Sequence, residues 1–189
     1  MQLRDTISSP YFRRLFLLTC LFTPMIQAYA EKADSLQKAE LSAEYSIFDG
    51  KKNVTTLTGH VELTRGTLIV PAERAVFSES SEKTRNFNLY GETGGQVFFR
   101  QKRDGGPDLW LEGVADRVEY DEKTELVKFI TKARVRYMEG KRITQEQDGE
   151  FLSYDSLNDV FIATNSSSGK HVPGAGRVTL TLEPKAEKK

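Results

Sequence analysis

Few side chains in this 189-residue sequence have the types and spacing that catalysis requires. There are one Cys and two His, His60 and His171, which is too few for a His-rich metal site or a His-based triad. Paired acids, which glycosidases use, occur at Asp121-Glu122 and at Asp104 with Asp108. Both pairs fall in predicted turns, where Asp bonds to local backbone, and HExxH, GxSxG and GxGxxG motifs are absent. We therefore predict no catalytic residue, no metal site and no cofactor.

The charge balance narrows the class of partner. Lys and Arg number 27, and Asp and Glu also number 27, so the formal net charge is zero. Nucleic-acid binding depends on neutralising phosphates, and a neutral chain gives no electrostatic reason to expect it. With 38% hydrophobic residues, the composition is that of one modest domain, and no nucleic-acid partner is predicted.

The first thirty residues have the pattern of an export signal. Arg4, Arg13 and Arg14 precede an apolar run from Leu15 to Ile26, and Ala28-Tyr29-Ala30 follows. A basic start, an apolar core of about 7–15 residues and an A-x-A site are typical of a secretory signal peptide. We predict cleavage after Ala30, which would leave a slightly acidic chain without a thiol in the periplasm.

Two other interpretations of this segment remain. An uncleaved membrane anchor is disfavoured because a transmembrane helix needs about 20 apolar residues. A lipoprotein signal at Cys20 is disfavoured because Thr19 is bulky and the apolar run continues through Leu21 and Phe22. The domain division that follows is a signal peptide at 1–30, one folded domain at 31–184 and a disordered polar tail at 185–189.

The rest of the chain predicts strands. From Ala43 to Ala163 short segments rich in Val, Thr, Phe, Tyr and Ile alternate with period two between Gly, Asp, Asn and Ser. Such spacing favours an all-β sandwich, barrel or roll. Only Asp34 to Leu41 has any helical periodicity, and we interpret it as a lead-in.

A short pattern also recurs along the chain. Each copy has Ala or Gly, an acid, three variable residues and Phe or Tyr: Ala43–Phe48, Ala72–Phe77, Ala115–Tyr120 and Gly149–Tyr154. Three copies continue with Asp, at Asp49, Asp121 and Asp155, and then a polar turn. The recurrence predicts one small β unit stacked repeatedly, in which neighbours bury each other's apolar face.

Strand parity assigns side chains to the two faces. Arg100, Lys128, Arg134, Arg136 and Glu62 share the outer face. The predicted inner face comprises Leu57, Val61, Leu63, Leu68, Val70, Phe77, Val97, Phe99, Val118, Tyr120, Phe129, Val135, Tyr137, Leu152, Tyr154 and Phe161, together with Ser46, Phe48, Ala75, Val127 and Ala163. This stripe is either an ordinary packed core or, in a roll with widely spaced sheets, the wall of a site for an apolar ligand.

One block of sequence carries a family resemblance. Asn53–Val70 has a strand ending in Thr58-Gly59, a second strand, the turn Arg65-Gly66-Thr67 and a third strand, and Ala72-Glu73 follows. This block resembles the LptA or OstA-like family of periplasmic lipopolysaccharide transport proteins, and the resemblance extends over nearly all of residues 31–184. Two departures are Glu73, where the family has Asp, and Thr131-Lys132, where an earlier copy has Thr58-Gly59. The second departure predicts a differently shaped turn near Thr131.

The resemblance implies a fold and a function. The fold would be an open β-jellyroll of antiparallel strands, and the function would be non-enzymatic carriage of lipopolysaccharide from the inner to the outer membrane. Lipid A would then bind along the predicted inner face.

The resemblance also implies partners at the sheet edges, because an unclosed roll leaves unpaired backbone groups there. An inner-membrane-anchored LptC-like protein would meet the N-terminal edge from Ala39 to Ile47, and an outer-membrane LptD-like protein would meet the C-terminal edge from Val178 to Leu182. Head-to-tail self-association would use the same edges. The residues predicted to meet partners at these two edges are Ala39, Leu41, Ala43, Tyr45, Val178, Leu180 and Leu182.

Two alternatives from other classes remain at this stage. One is an exported β-solenoid enzyme acting on polysaccharide, which would need acids clustered on one exposed face. The other is a structural jellyroll module that binds no lipid. Co-purification of lipopolysaccharide would distinguish the carrier from both.

Overall fold

A computed structural model describes residues 33–80 and 82–184. This part of the chain is almost entirely antiparallel β-structure, as predicted. The predicted signal peptide and the predicted polar tail lie outside the described residues. The strands are β1 (Ala39–Ser42), β2 (Tyr45–Asp49), β3 (Val54–Arg65), β4 (Leu68–Glu79), β5 (Arg85–Tyr90), β6 (Val97–Lys102), β7 (Leu109–Ala115), β8 (Arg117–Asp121), β9 (Leu126–Glu139), β10 (Arg142–Asp155), β11 (Val160–Thr164) and β12 (Thr179–Leu182).

The strands form two sheets that share their four longest members. β3, β4, β9 and β10 are 12 to 14 residues long, and each pairs with different neighbours along its two halves. Sheet I has the order β2, β3, β4, β5, β8, β9, β10, β11, and sheet II has the order β1, β3, β4, β6, β7, β9, β10, β12. The two sheets are therefore joined along one side, here called the spine, by continuous strands.

Left-handed residues let the long strands turn at the spine. In β3, Gly59 and His60 have φ of 81° and 44°, and in β9, Thr131 and Lys132 have φ of 68° and 51°. The prediction of a different turn near Thr131 is wrong, because a β-branched residue occupies the left-handed region that Gly occupies in the earlier copy. The same backbone bond closes both turns: Glu44 N–H donates to the Gly59 carbonyl at 2.9 Å and Asp116 N–H to the Thr131 carbonyl at 3.0 Å.

The predicted repeat has a structural basis on the other side of the roll. The Asp that follows each aromatic residue accepts a hydrogen bond from backbone N–H two or three residues later: Asp49 from Lys51, Asp121 from Thr124 and Asp155 from Asn158, at 2.8 to 3.0 Å. These are Asx turns, which end one sheet I strand and start the next. The bonds from Asn158 lower the pKa of the Asp155 carboxyl.

Candidate functional site

The space between the two sheets is the candidate site. Apart from Ser46 and Phe48, every residue of the predicted inner face either belongs to the buried core or, in the case of Phe77, Tyr137, Phe161 and Ala163, packs against it half-buried. The two sheets touch directly, since the rings of Phe99 in sheet II and Phe129 in sheet I meet edge to face at 5.4 Å. The interior wall is therefore aliphatic and aromatic and runs between both ends of the roll.

Two inner-face predictions are wrong. Phe48 is 63% exposed, and Ser46 is exposed as well. Both lie on β2, which pairs with β3 as the end strand of sheet I. Their parity was assigned correctly, but parity determines only the face of a strand, and burial also needs a facing sheet.

Sequence reasoning missed part of the interior. Phe87 and Leu89 on β5 and Leu111 on β7 are fully buried in the same core. These residues could have been predicted from the alternation of inward and outward side chains within Arg85–Tyr90 and Leu109–Ala115. Gly113 is a further interior residue that was not predicted. A Cβ there would lie 2.2 Å from Phe129 Cε1, so the absence of a side chain at Gly113 leaves room for the Phe129 ring.

The interior is closely packed where the two sheets meet opposite the spine. The residues there enclose only about 10 Å³, which is about the room of one water molecule. The lining combines Phe99, Val127 and Tyr154 with polar groups of Ser35 and Gln101. This space admits an acyl chain only if the sheets separate here.

This side of the roll, here called the mouth, is held together by side chains rather than by continuous strands. Arg65 ends β3 in sheet II, and its Nη1 donates to the hydroxyl of Tyr120 in sheet I at 2.8 Å. Glu122 lies 3.7 Å from Arg65 Nη2 and accepts from Arg85 Nη2 at 2.6 Å. Burial raises the pKa of Tyr120 to about 12, so its hydroxyl is protonated at neutral pH.

A second polar tie closes the mouth farther along. Arg103 Nη2, in the connection between β6 and β7, lies 4.0 Å from Asp159 Oδ1 in the turn between β10 and β11. Its guanidinium also lies 4.2 Å from the Tyr137 ring centroid. Because a guanidinium is attracted to a ring face, this cation is held over the aromatic end of the interior.

The N-terminal segment 33–37 lies across the first of these ties. Asp34 is buried and accepts hydrogen bonds from Thr67 N–H at 2.8 Å and from the Thr67 hydroxyl at 2.6 Å. Gln101 Nε2 donates to the same carboxylate at 3.1 Å. Arg65 donates to the carbonyls of Ser35 and Gln37. The predicted helical lead-in is in fact one turn, followed by β1.

The outer faces of both sheets are polar. Cross-strand ion pairs cover sheet II, for example Arg136 with Glu146 and Arg134 with Asp148. The hydrogen bond that Arg134 donates to the Asp148 carboxylate raises the pKa of Arg134. The predicted outer residues Glu62, Arg100 and Lys128 also lie on this side of their strands, exposed or half-exposed.

Both ends of the two sheets present an edge. Within the described residues, β1 and β2 pair with β3 at one end, and β11 and β12 pair with β10 at the other. Val178 precedes β12 rather than belonging to it, and β11 extends the C-terminal edge beyond the predicted range. Exposed apolar residues concentrate at these edges: Tyr45, Ile47, Phe48, Val160, Ile162, Leu180 and Leu182.

The residues first considered for catalysis do not come together. Asp121 caps a turn as predicted, but the Glu122 side chain, which is 11% exposed, lies against Arg65 and Arg85 rather than bonded to local backbone. His60 is exposed at the spine, where a 2.7 Å hydrogen bond with Glu44 raises its pKa. His171 is exposed in the connection before β12.

The described ranges contain neither a metal-binding cluster nor a membrane-spanning helix. Across 33–80 and 82–184 no three His, Cys, Asp or Glu side chains are grouped so that they could hold a metal ion. The same residues include no helix with the length and apolar character needed to span a membrane.

Comparison with known proteins gives concordant matches. The family described as "LptA/(LptD N-terminal domain) LPS transport protein" matches residues 40–159. "Lipopolysaccharide export system protein LptA" of Haemophilus influenzae is 26% identical over 170 residues, which cover 90% of each chain. The protein of the same name from Escherichia coli K12 is 25% identical over 171 residues, which are 90% of this chain and 84% of that one.

A solved structure has the same fold. The crystal structure of LptH, the LptA-homologous periplasmic component of the lipopolysaccharide transport device of Pseudomonas aeruginosa, superposes with a TM-score of 0.67. The match covers 80% of this chain and 99% of that chain at 16% sequence identity. The expected open β-jellyroll is thereby confirmed as the fold.

Proposed function

Since the chain belongs to the LptA/LptD N-terminal domain family of lipopolysaccharide transport proteins, we propose that it carries lipopolysaccharide between the inner and outer membranes. It acts in the periplasm, without catalysis and without a cofactor, after export by the signal peptide at 1–30. Lipid A binds with its acyl chains between the two sheets, against the inner-face residues. Its named relatives are lipopolysaccharide export proteins, which supports this assignment.

The observation that carries the proposal is the construction of the interior. Both sheets provide an apolar wall, but within residues 33–80 and 82–184 only the spine joins them through continuous strands. Moving one CH₂ group from water to such a wall contributes roughly 0.8 kcal/mol, so several acyl chains supply ample affinity. Opening the mouth requires side-chain ties to break while the backbone pairing within each sheet is kept.

The same wall permits movement along the roll. Inward side chains such as Leu63, Val97 and Phe129 offer non-directional contacts, so no single position fixes the ligand in place. Polar side chains that face the space between the sheets, such as Arg65 and Gln101, lie at the mouth, where a phosphorylated head group would remain near water. The acyl chains can therefore slide while the head group follows the mouth.

The sheet edges provide the second functional surface. An unpaired edge strand accepts another strand through backbone hydrogen bonds. The edge formed by β1 and β2 receives an inner-membrane-anchored LptC-like partner, and the edge formed by β11 and β12 receives an outer-membrane LptD-like partner. Head-to-tail pairing of identical chains would use one edge of each kind and would extend rather than close.

Purification from the periplasm under non-denaturing conditions tests the carrier function. Lipopolysaccharide should co-purify with the protein, and depletion of the protein should leave newly made lipopolysaccharide at the inner membrane. A protein that emerges free of lipopolysaccharide and whose depletion leaves transport intact would contradict the proposal. Turnover of a polysaccharide would instead indicate the enzymatic alternative.

A further inference from the structure

The turn between β3 and β4 binds the N-terminal segment 33–37 through each of its three residues. Arg65 donates to the carbonyls of Ser35 and Gln37. Thr67 donates both its backbone N–H and its hydroxyl to the Asp34 carboxylate. Gly66 makes room for that carboxylate, because a Cβ there would lie 2.0 Å from Asp34 Oδ1.

The segment lies at the mouth, beside the small space between the two sheets. Ser35 lines the same small space at the mouth as Phe99, Tyr120 and Tyr154, which come from both sheets. Arg65 contacts Tyr120 and Glu122 in sheet I as well as the segment. Separation of the sheets at this point therefore requires the contacts of the segment to change.

Polar bonds, rather than apolar burial, hold the segment. Leu36, its one large apolar side chain, is 86% exposed, whereas the polar Asp34 is 4% exposed. A segment bound in this way contributes little hydrophobic stabilisation, and an equivalent set of hydrogen-bonding groups can replace it. The contacts of Asp34 and of the two carbonyls are thus exchangeable.

We propose that residues 33–37 form a plug that occupies the mouth of the roll, and that a phosphate-bearing amphiphile displaces it, with phosphate oxygens replacing the Ser35 and Gln37 carbonyls on Arg65. The inference deepens the carrier function and rests on it. Arg65 selects the head group, and the plug keeps the mouth shut in the absence of ligand.

The chemistry of Arg65 favours a phosphate. Its side chain is 7% exposed, and its carboxylate neighbour Glu122 is shared with Arg85. The carbonyls of the plug satisfy guanidinium donors of Arg65 without neutralising its charge. The carboxylates at the mouth include Glu122, Glu125 and Asp34, and Asp34 leaves the mouth when the plug is displaced. A phosphate can accept from a guanidinium through two oxygens and also carries the compensating charge.

Two amphiphiles with the same acyl chain separate the roles of plug and arginine. Lysophosphatidic acid carries a phosphate and monoacylglycerol does not. Binding of each is measured by calorimetry to protein purified from the periplasm as wild type, Asp34→Ala, Gly66→Ala and Arg65→Gln. Asp49→Ala, which also removes a turn-capping carboxylate, and Arg74→Gln, an exposed outer arginine, are the matched controls.

The proposal predicts a distinct result for each change. Asp34→Ala loses three hydrogen bonds to the plug, so the mouth opens more often and both amphiphiles bind about tenfold more tightly. Gly66→Ala expels the Asp34 carboxylate and acts in the same direction. Arg65→Gln abolishes the preference for lysophosphatidic acid over monoacylglycerol, and this ratio does not depend on how firmly the plug is held. The controls keep wild-type affinities and the wild-type ratio.

A label on the plug reports its movement directly and does not depend on variants that weaken the fold. Ser35→Cys combined with Cys20→Ser places the sole thiol of the chain on the plug, and a nitroxide there should become more mobile when lysophosphatidic acid is added. Binding that leaves the nitroxide immobile, or an unchanged ratio in Arg65→Gln, would overturn the plug while leaving the carrier function intact. Absence of binding by either amphiphile to any variant would overturn the plug, whereas the carrier function is overturned by a protein that purifies free of lipopolysaccharide and whose depletion leaves transport intact.

Discussion

Arg65 Nη1 donates a 2.8 Å hydrogen bond to the hydroxyl of Tyr120, and this bond joins sheet II to sheet I on the side where no strand of the described part of the chain connects them. The acceptor is a buried phenol whose pKa is raised to about 12, with burial as the largest cause. The bond from Arg65 by itself favours the phenolate, so the raised pKa reflects the burial of Tyr120 in the closed roll.

Alkaline pH should weaken the folded state through Tyr120. The phenol has a pKa of about 10 in the unfolded chain and about 12 in the folded one, so its contribution is complete below pH 10 and is lost as the pH rises to about 12. The loss should reach up to about 3 kcal/mol. Urea unfolding at several pH values checks this.

Tyr120→Phe is the matched variant for the alkaline transition. It should be less stable at neutral pH by about 1–3 kcal/mol, because Arg65 loses an acceptor in a buried place. Between pH 10 and 12 its stability should fall less steeply than that of the wild type. Equal slopes in the two proteins would show that Tyr120 does not titrate as described.

Gly113 should be intolerant of any side chain. Its missing Cβ leaves room for the Phe129 ring, which in turn packs edge to face on Phe99. Gly113→Ala would force this pair of rings apart and should lower the free energy of unfolding by about 1–3 kcal/mol. Gly50→Ala, where the nearest atom is 3.5 Å away and the backbone is not left-handed, should change it by less than about 0.5 kcal/mol. Similar losses for both variants would contradict this packing.

Strand addition at the C-terminal edge should depend on the outward N–H of Leu180. Glu183 N–H donates to the Thr144 carbonyl in β10, so alternation along β12 directs the N–H of Thr181 to β10 and that of Leu180 away from it. Leu180→Pro should therefore remove an intermolecular donor and leave the fold intact. Thr181→Pro should instead detach β12.

Sedimentation at increasing protein concentration checks the edge prediction. Wild type should form head-to-tail oligomers, and Leu180→Pro should stay monomeric with an unchanged melting temperature. Oligomers of Leu180→Pro equal to those of wild type would mean that this edge does not carry self-association.

The sequence made much of the architecture predictable, because period-two alternation directly reports strands and faces. The Phe/Tyr-Asp repeat also corresponded to real turns, at Asp49, Asp121 and Asp155. Phe48 was misplaced because burial depends on a facing sheet that a local pattern cannot report. Thr131 was misjudged because the surrounding sheet enforces a left-handed conformation on a residue that disfavours it.

The mouth was the part that local patterns missed. Arg65 has the same strand parity as Val61 and Leu63, so the sequence does place a charged residue at an inward position. The hydrogen-bond partners of Arg65 could not be predicted from local sequence, because Ser35 and Tyr120 lie 30 and 55 residues away along the chain. Polar networks of this kind are specified by tertiary structure rather than by sequence spacing.

The most direct test of the central claim compares two neighbouring residues on β9. Phe129 is fully buried between the sheets, whereas Lys128 lies on the outer face of the same strand. A photocrosslinking amino acid placed at Phe129 in growing cells should capture lipopolysaccharide, and the same amino acid at Lys128 should not. Capture at Lys128 without capture at Phe129 would contradict the account, because lipopolysaccharide would then travel along the outside of the roll.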